Sequence, residues 1–144
     1  PPDLVSPEDR DDISSAIIDP TNDQLPIQNS YPVGLTISAA DVGGTSANIT
    51  VSNHTRRYSD RDVSITGITL TGLANSTAYR IYYDDPDRSD TTPTIIATTT
   101  AGDAYLSPTN PARHYVGSIT TPASGGGSTG GTGGVPPGGG TDIP

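Results

Sequence analysis

The chain has 144 residues and an acidic composition, with 16 Asp and Glu against 7 Lys and Arg and a formal net charge of −9. It contains no Cys, Met, Trp or Phe, which excludes disulfide frameworks and zinc sites built on thiolates. The negative charge disfavours binding to nucleic-acid phosphates and anionic membranes, and no apolar run approaches the roughly 18 residues of a membrane span. These features predict one small extracellular-type domain without enzymatic activity.

The composition changes twice along the chain and divides it into three segments. Residues 1–32 are acidic and contain several prolines, and they predict a docking arm. Residues 33–121 hold six of the seven tyrosines and predict the folded domain. Residues 122–144 are rich in Gly and Pro and offer almost nothing to bury. They predict an extended tail, either a flexible linker or a polyproline-type strand that packs with other copies in an oligomer.

The arm carries one helix signal. A serine, a proline and two acidic residues in succession are typical of a helix start, and Ile13 and Ile17 follow at helical spacing. This predicts a short helix near residues 7–18, whose narrow apolar stripe of Ile13 and Ile17 needs a partner surface to be stable. The later part of the arm, through residues 25–27, is predicted to be extended chain.

The domain shows the two-residue alternation of β-strands. Short alternating runs are separated by clusters of Gly, Asn, Asp and Pro, a pattern typical of an antiparallel sandwich. The runs lie near residues 35, 47, 63, 68, 79, 95 and 115. The alternation changes parity at Gly67, which predicts a bulge or a tight turn there. The interval between Val51 and Val63 is short for two full strands and predicts a reduced sheet.

The stretch of residues 70–83 resembles fibronectin type III domains. In that family a Leu-x-x-Leu pair precedes a corner, here Leu70 and Leu73, and a Tyr six residues later begins the next strand, here Tyr79. The resemblance implies a tyrosine corner, with the Tyr79 ring in the core and its hydroxyl bonded back across the loop. It implies an all-β fold, a small antiparallel fibronectin type III-like β-sandwich, although the Trp that the family usually buries on an earlier strand is missing.

A narrower resemblance rests on four runs, at residues 54–58, 73–77, 81–86 and 107–123, and on the Gly/Pro-rich tail that follows them. Together they resemble the C-terminal portion of tail-associated proteins of phages and prophages of Alphaproteobacteria, over roughly residues 46–140. The resemblance implies a non-enzymatic, extracellular virion structural protein of a tail or fibre, which needs no cofactor.

The same resemblance implies particular partners. These are other virion tail or fibre proteins, further copies of the chain in a trimer or larger homo-oligomer, and a host surface glycan or protein. Neither nucleic acid nor membrane insertion is expected. Two other functions stay open: a secreted or surface-anchored bacterial adhesion module, and a capsid decoration or head fibre protein.

Candidate residues for metal binding or acid–base chemistry are few. The acidic loop with Asp85, Asp87 and Asp90 is a weak calcium candidate, because hard cations prefer several carboxylate oxygens on a short loop. The loop lacks the Gly and the distal Glu of a calcium loop, so a solvated turn is the simpler interpretation. His54 and His114 have no nucleophile elbow in the sequence around them and are predicted to be structural.

Two further groups of residues have a functional and a structural interpretation. Asp60 and Asp62 could pair as carboxylates for glycoside hydrolysis, but an ion-paired loop explains them more simply. Tyr58, Tyr82 and Tyr105 could contact a sugar through their ring faces, but core or sheet-surface packing is the commoner role. The sequence therefore predicts no catalytic residue and no metal site.

Overall fold

The alternation of apolar and polar residues produces short β-strands in the computed structural model, which describes residues 25–133. In chain order the strands are β1 (Tyr31–Val33), β2 (Ile37–Val42), β3 (Ser46–Val51), β4 (His54–Arg57), β5 (Asp62–Ile65), β6 (Ile68–Leu73), β7 (Ala78–Asp84), β8 (Ile96–Thr98), β9 (Arg113–Thr120), β10 (Ser128–Gly130) and β11 (Thr132–Gly133). A short 3-10 helix, Ala101–Ala104, follows β8. The predicted all-β class is confirmed, and β4 and β5 have only four residues each.

The strands form three antiparallel sheets. Sheet 1 has the order β10-β2-β3-β6, sheet 2 has the order β11-β9-β7-β8, and sheet 3 has the order β1-β4-β5. Sheets 1 and 2 share one hydrophobic core, in which Ile49 of β3, Ile81 of β7 and Val116 of β9 are fully buried. The apolar residues of the alternating runs thus point inward from both sheets, as an antiparallel sandwich requires.

Gly67 lies in the tight connection between β5 and β6. A Cβ atom at this position would lie 2.1 Å from the carbonyl oxygen of Val51, so no other residue fits without a backbone shift. The N–H of Gly67 donates to Oδ1 of Asn53 at 2.7 Å. Since β5 belongs to sheet 3 and β6 to sheet 1, the change of parity at Gly67 marks the point where the chain crosses between sheets.

Leu70, Leu73 and Tyr79 build the corner between β6 and β7. Between the two leucines β6 advances three residues while β3 advances two, and Gly72 takes a φ of 72° in this bulge. The bulge lets both leucines pack against the core. The Tyr79 ring is buried, and its hydroxyl accepts the N–H of Ala74 at 2.8 Å. This is the bond that the resemblance to fibronectin type III domains implies.

Replacing Tyr79 with phenylalanine tests the contribution of this corner. The substitution removes the hydroxyl that accepts the N–H of Ala74 and keeps the ring, so we expect a loss of about 1–2 kcal/mol of unfolding free energy. Urea denaturation measures the loss. Tyr31→Phe is the matched control, because Tyr31 is exposed and its hydroxyl bonds to the exposed Arg57, a surface contact that contributes little, so the urea midpoint should stay nearly unchanged. Equal midpoints for the two variants would show that the corner bond contributes nothing.

The boundary predicted between arm and domain, after residue 32, needs correction. Residues 25–28 are helical and not extended, which is compatible with Pro26 because proline fixes φ near the helical value. Ile27 is buried at 4% exposure, and β1 pairs with β4. The end of the predicted arm therefore belongs to the domain. The predicted helix near residues 7–18, with Ile13 and Ile17, lies outside the described residues.

The boundary predicted after residue 121 needs correction as well. Residues 128–133, which we call the glycine clip, form β10 along β2 of sheet 1 and β11 along β9 of sheet 2. The clip passes close to both sheets because it lacks side chains at two positions. A Cβ atom would lie 2.6 Å from the Ser118 carbonyl oxygen at Gly131 and 2.3 Å from Cδ2 of Leu35 at Gly133. At Gly131 the obstacle is backbone, so glycine is required there for close approach, whereas at Gly133 the Leu35 side chain could shift.

Two glycine-to-alanine substitutions in the clip should differ sharply. Gly131→Ala places a methyl group against Ser118 and should destabilise the protein by about 1–3 kcal/mol or release the clip from the sheets. Gly130→Ala is the matched control, since nothing lies within 4 Å of a Cβ atom there. Urea denaturation and the amide shifts of residues 128–133 measure both effects. A Gly131→Ala protein with unchanged stability and shifts would contradict the packing of the clip.

Candidate functional site

A cluster of buried polar and aromatic side chains lies where sheet 3 meets sheet 2. It consists of Arg56, Tyr58, Tyr83 and His114, none of them more than 4% exposed, and we call it the arginine cluster. Arg56 lies on β4 and Tyr58 directly follows this strand, whereas Tyr83 lies on β7 and His114 on β9. Since sheets 2 and 3 share no strand pair, side chains make this junction.

Arg56 supplies the hydrogen bonds of the junction. Its Nε donates to Oγ of Ser30 at 2.9 Å and its Nη2 to the Ser30 carbonyl oxygen at 3.3 Å. Its Nη1 donates to the Tyr115 carbonyl oxygen at 2.9 Å. Within residues 25–133 no carboxylate pairs with this guanidinium, and burial lowers the pKa of Arg56. Neutral oxygens alone therefore offset the cost of burying the charge.

Hydrogen bonds to Ala112 and Tyr58 hold His114 in one tautomer. Its ring stacks on Tyr83 with centroids 4.7 Å apart, and its Nδ1 lies 2.8 Å from the Ala112 carbonyl oxygen. Because a carbonyl oxygen can only accept, Nδ1 carries the hydrogen. Nε2 must then accept the hydrogen of the Tyr58 hydroxyl, which lies 2.7 Å away.

Burial in the cluster keeps the side chains of Tyr58, Tyr83 and His114 neutral. Burial, together with the nearby Arg56 cation, lowers the pKa of His114 to about 3. Burial also raises the pKa of Tyr58, and raises the pKa of Tyr83 to about 12. A histidine poised for acid–base catalysis has a pKa near the working pH and reaches its substrate. His114 is fully buried and its pKa is lowered, so it has neither property.

The acidic pair considered for glycoside hydrolysis forms ion pairs on the surface. Asp60 contacts Arg61 at 2.9 Å and Arg88 at 3.0 Å, and Asp62 contacts Arg57 at 3.1 Å. The hydrogen bond from Arg61 holds the pKa of Asp60 below its usual value. A general acid needs a raised pKa, so this loop has the electrostatics of an ion-paired surface loop.

The acidic side chains of the weak calcium candidate do not converge on one point. The carboxylate of Asp85 turns inward, with the residue 3% exposed, and its Oδ2 accepts the N–H of Asp90 at 3.0 Å. Oδ1 of Asp90 accepts the N–H of Thr92 at 2.9 Å. Across residues 25–133 no three acidic or histidine side chains, Asp87 included, lie close enough to hold a metal ion. The loop is a turn stabilised by its own carboxylates.

The tyrosines considered for sugar binding pack against protein. Tyr58 and Tyr82 are buried, at 4% and 9% exposure. Tyr105 packs on Tyr115 with centroids 5.0 Å apart, and the guanidinium of Arg113 covers the Tyr82 ring at 4.1 Å. Tyr58 and Tyr82 are therefore packed as the structural interpretation expects, whereas Tyr105 is half-buried.

Sequence reasoning missed Arg56 as the centre of a cluster. The signal was present: His54, Arg56 and Tyr58 share one parity, and the structure buries all three. His54 does not join the arginine cluster, and its Nδ1 contacts the Ser52 carbonyl oxygen at 2.9 Å. A strand whose inward-facing positions are all polar predicts a polar core. A pattern of alternating apolar residues does not reveal such a strand.

Comparison with family models, with curated proteins and with solved structures finds no match to this chain. Among the residues that the structure describes, no helix combines the length and apolar character needed to cross a membrane. The function must therefore be inferred from the residues of the chain itself.

Proposed function

We propose that this chain is a non-enzymatic structural module of a tailed phage, placed in the tail or a fibre, where it joins neighbouring subunits. One observation carries the proposal: both end segments of the described chain are fastened to the sandwich. The N-terminal segment pairs through β1 with β4, and the glycine clip pairs with β2 and β9. The resemblance of residues 46–140 to tail-associated phage proteins supports the location.

The N-terminal segment is fastened through Ser30. The residue is 3% exposed, and both its hydroxyl and its carbonyl oxygen accept hydrogen bonds from Arg56. Its hydroxyl donates to the Ile27 carbonyl oxygen at 2.6 Å. Since Arg56 also bonds to Tyr115 of β9, the position of Ser30 is fixed relative to sheet 2.

The C-terminal segment is fastened at several points along its length. The hydroxyl of Ser124 donates to the Gly44 carbonyl oxygen at 2.6 Å, and that of Thr129 donates to the Thr120 carbonyl oxygen at 2.7 Å. The N–H of Gly131 donates to a carbonyl oxygen of β2 at 2.9 Å. Partners bound to the two flanking segments would thus be held at a fixed relative position, which is what a connector needs.

The interior of the domain supports a non-enzymatic role. The arginine cluster is buried, and its hydrogen bonds join Arg56, Tyr58 and His114 to other groups of the protein, so it offers no exposed group to a substrate. In the described chain the acidic residues considered for catalysis are engaged by arginines on the surface. Chemistry on a substrate needs convergent groups at an accessible pocket, and neither set of residues has that arrangement.

Immunogold labelling of virions tests the location. An antibody raised against the folded chain is applied to tailed particles produced from the genome that encodes it, with particles from a deletion strain as the control. Label on the tail or fibre is the expected result. Label on the capsid would favour a decoration or head fibre protein, and label only on the bacterial surface would favour an adhesion module. Either of these results would overturn the proposal.

A further inference from the structure

A polar groove lies on the outer face of sheet 2. Its volume is about 440 Å³, and it is bordered by β7, β9 and the glycine clip. Because Tyr79 and Ile81 point into the core, Arg80 between them points outward. The groove therefore has a guanidinium in its wall, and the clip forms its other side.

Four side chains form one row across this face. Strand pairing places Thr132 of β11 opposite Ser118 of β9, Ser118 opposite Arg80 of β7, and Arg80 opposite Thr98 of β8. Residues directly opposite in antiparallel strands share a face, and the strands are about 4.8 Å apart. The row thus presents two hydroxyls on one side of the guanidinium and a third hydroxyl on the other.

Arg80 differs from the other surface arginines. Within residues 25–133 it makes no ion pair and no hydrogen bond. Among the described residues, the other arginines outside the core are each bonded to an aspartate, and they are Arg57, Arg61, Arg88 and Arg113. In a chain with 16 acidic residues and a net charge of −9, a guanidinium that pairs with no acidic residue of the described chain can take an anion from outside.

We propose that this groove binds a carboxylated saccharide, such as a uronic acid unit of a surface polysaccharide. The guanidinium of Arg80 takes the carboxylate, since its fork matches two carboxylate oxygens. The hydroxyls of Thr132 and of Ser118, which also bonds to the Tyr115 side chain, exchange hydrogen bonds with the sugar hydroxyls, because each can both donate and accept. The open backbone at Gly130, which also borders the groove and has nothing within 4 Å of a Cβ position, leaves room for the ring.

The charge of the protein selects against phosphate monoesters. A phosphate monoester brings nearly two negative charges into the field of a protein with net charge −9. A sugar carboxylate has a single charge on a mainly neutral body. An open groove with one charged contact has a dissociation constant on the order of millimolar. Repeated copies on a particle strengthen the overall binding through avidity. This inference goes beyond the proposed connector role and does not depend on it.

Titration of the full chain with sodium glucuronate, followed by amide NMR shifts, tests the site. Shifts at Arg80, Ser118 and Thr132 that saturate in the millimolar range are expected, whereas glucose and acetate alone should bind at least tenfold more weakly. Arg80→Gln should weaken glucuronate binding at least tenfold. Arg61→Gln changes a surface arginine in the loop between β4 and β5; it is the matched control and should leave the affinity within about twofold.

The stability of the variant separates binding from folding. Arg80 has no partner within the described residues, so Arg80→Gln should keep the urea midpoint of the unchanged chain. Thr132→Val keeps the shape of the side chain and removes its hydroxyl, and it should weaken glucuronate binding but not acetate binding. Absence of shifts at tens of millimolar glucuronate, or equal affinity in Arg80→Gln, would overturn the site. Equal binding of acetate and glucuronate would overturn the saccharide assignment.

Discussion

Replacing Arg56 with alanine is expected to destabilise the sandwich by about 3–5 kcal/mol. The substitution leaves the carbonyl oxygens of Ser30 and Tyr115 buried without a donor and opens a cavity where the side chain lay. Removing a desolvated charge partly offsets this cost, but two unpaired buried acceptors and the lost packing outweigh it. Urea denaturation of the full chain measures the difference.

Arg57→Ala is the matched control for this prediction. Arg57 is the next residue on β4, and it contacts Asp62 in an exposed ion pair, a type of contact that contributes little to stability. The urea midpoint of the Arg57→Ala variant should remain close to that of the unchanged chain. Similar effects of the two alanine substitutions would show that Arg56 does not hold sheet 3 to sheet 2.

Lowering the pH from 7 to 4.5 should destabilise the protein through His114. Its pKa is about 3 in the folded protein and about 6.5 in the unfolded chain. Between these values the unfolded chain binds a proton that the folded protein excludes, so stability is complete above pH 6.5 and falls as the pH decreases towards 3. At about 1.4 kcal/mol for each pH unit, the loss by pH 4.5 is about 2–3 kcal/mol.

A His114→Gln variant isolates this contribution. The variant starts less stable at pH 7, because the bond to Tyr58 changes, but it should lose much less stability between pH 7 and 4.5. The remaining loss comes from His54, whose pKa burial also lowers. Asp60 and Asp84 have lowered pKa values from their arginine partners, so they remain ionised over this range. An unchanged pH dependence in His114→Gln would contradict the assignment.

The strands and the corner could be predicted because their signals are local. Two-residue alternation fixes which side chains face the core, and the spacing of Leu70, Leu73 and Tyr79 is contained in ten residues. The glycine clip could not be predicted in this way. It binds through backbone groups and through the absence of side chains, so residues 128–133 carry no apolar period and have the composition of a linker.

The sites depend on contacts between distant segments, which the sequence does not display. Arg80, Ser118 and Thr132 meet only because β9 pairs with both β7 and β11. Ser30 and Arg56 meet through β1 and β4. Alternation predicts the face on which each residue lies, but the order of strands in a sheet decides its neighbours.

Amide hydrogen exchange on the full chain tests most directly whether both end segments are part of the sandwich. The amide of Gly131, bonded to Ile37, and those of β1 should exchange at least on the order of 100-fold more slowly than in an unstructured chain. The amide of Ile81 in β7 provides the reference for the core. Exchange of residues 128–133 at the unstructured rate, with Ile81 still protected, would contradict the fastened ends and with them the connector role.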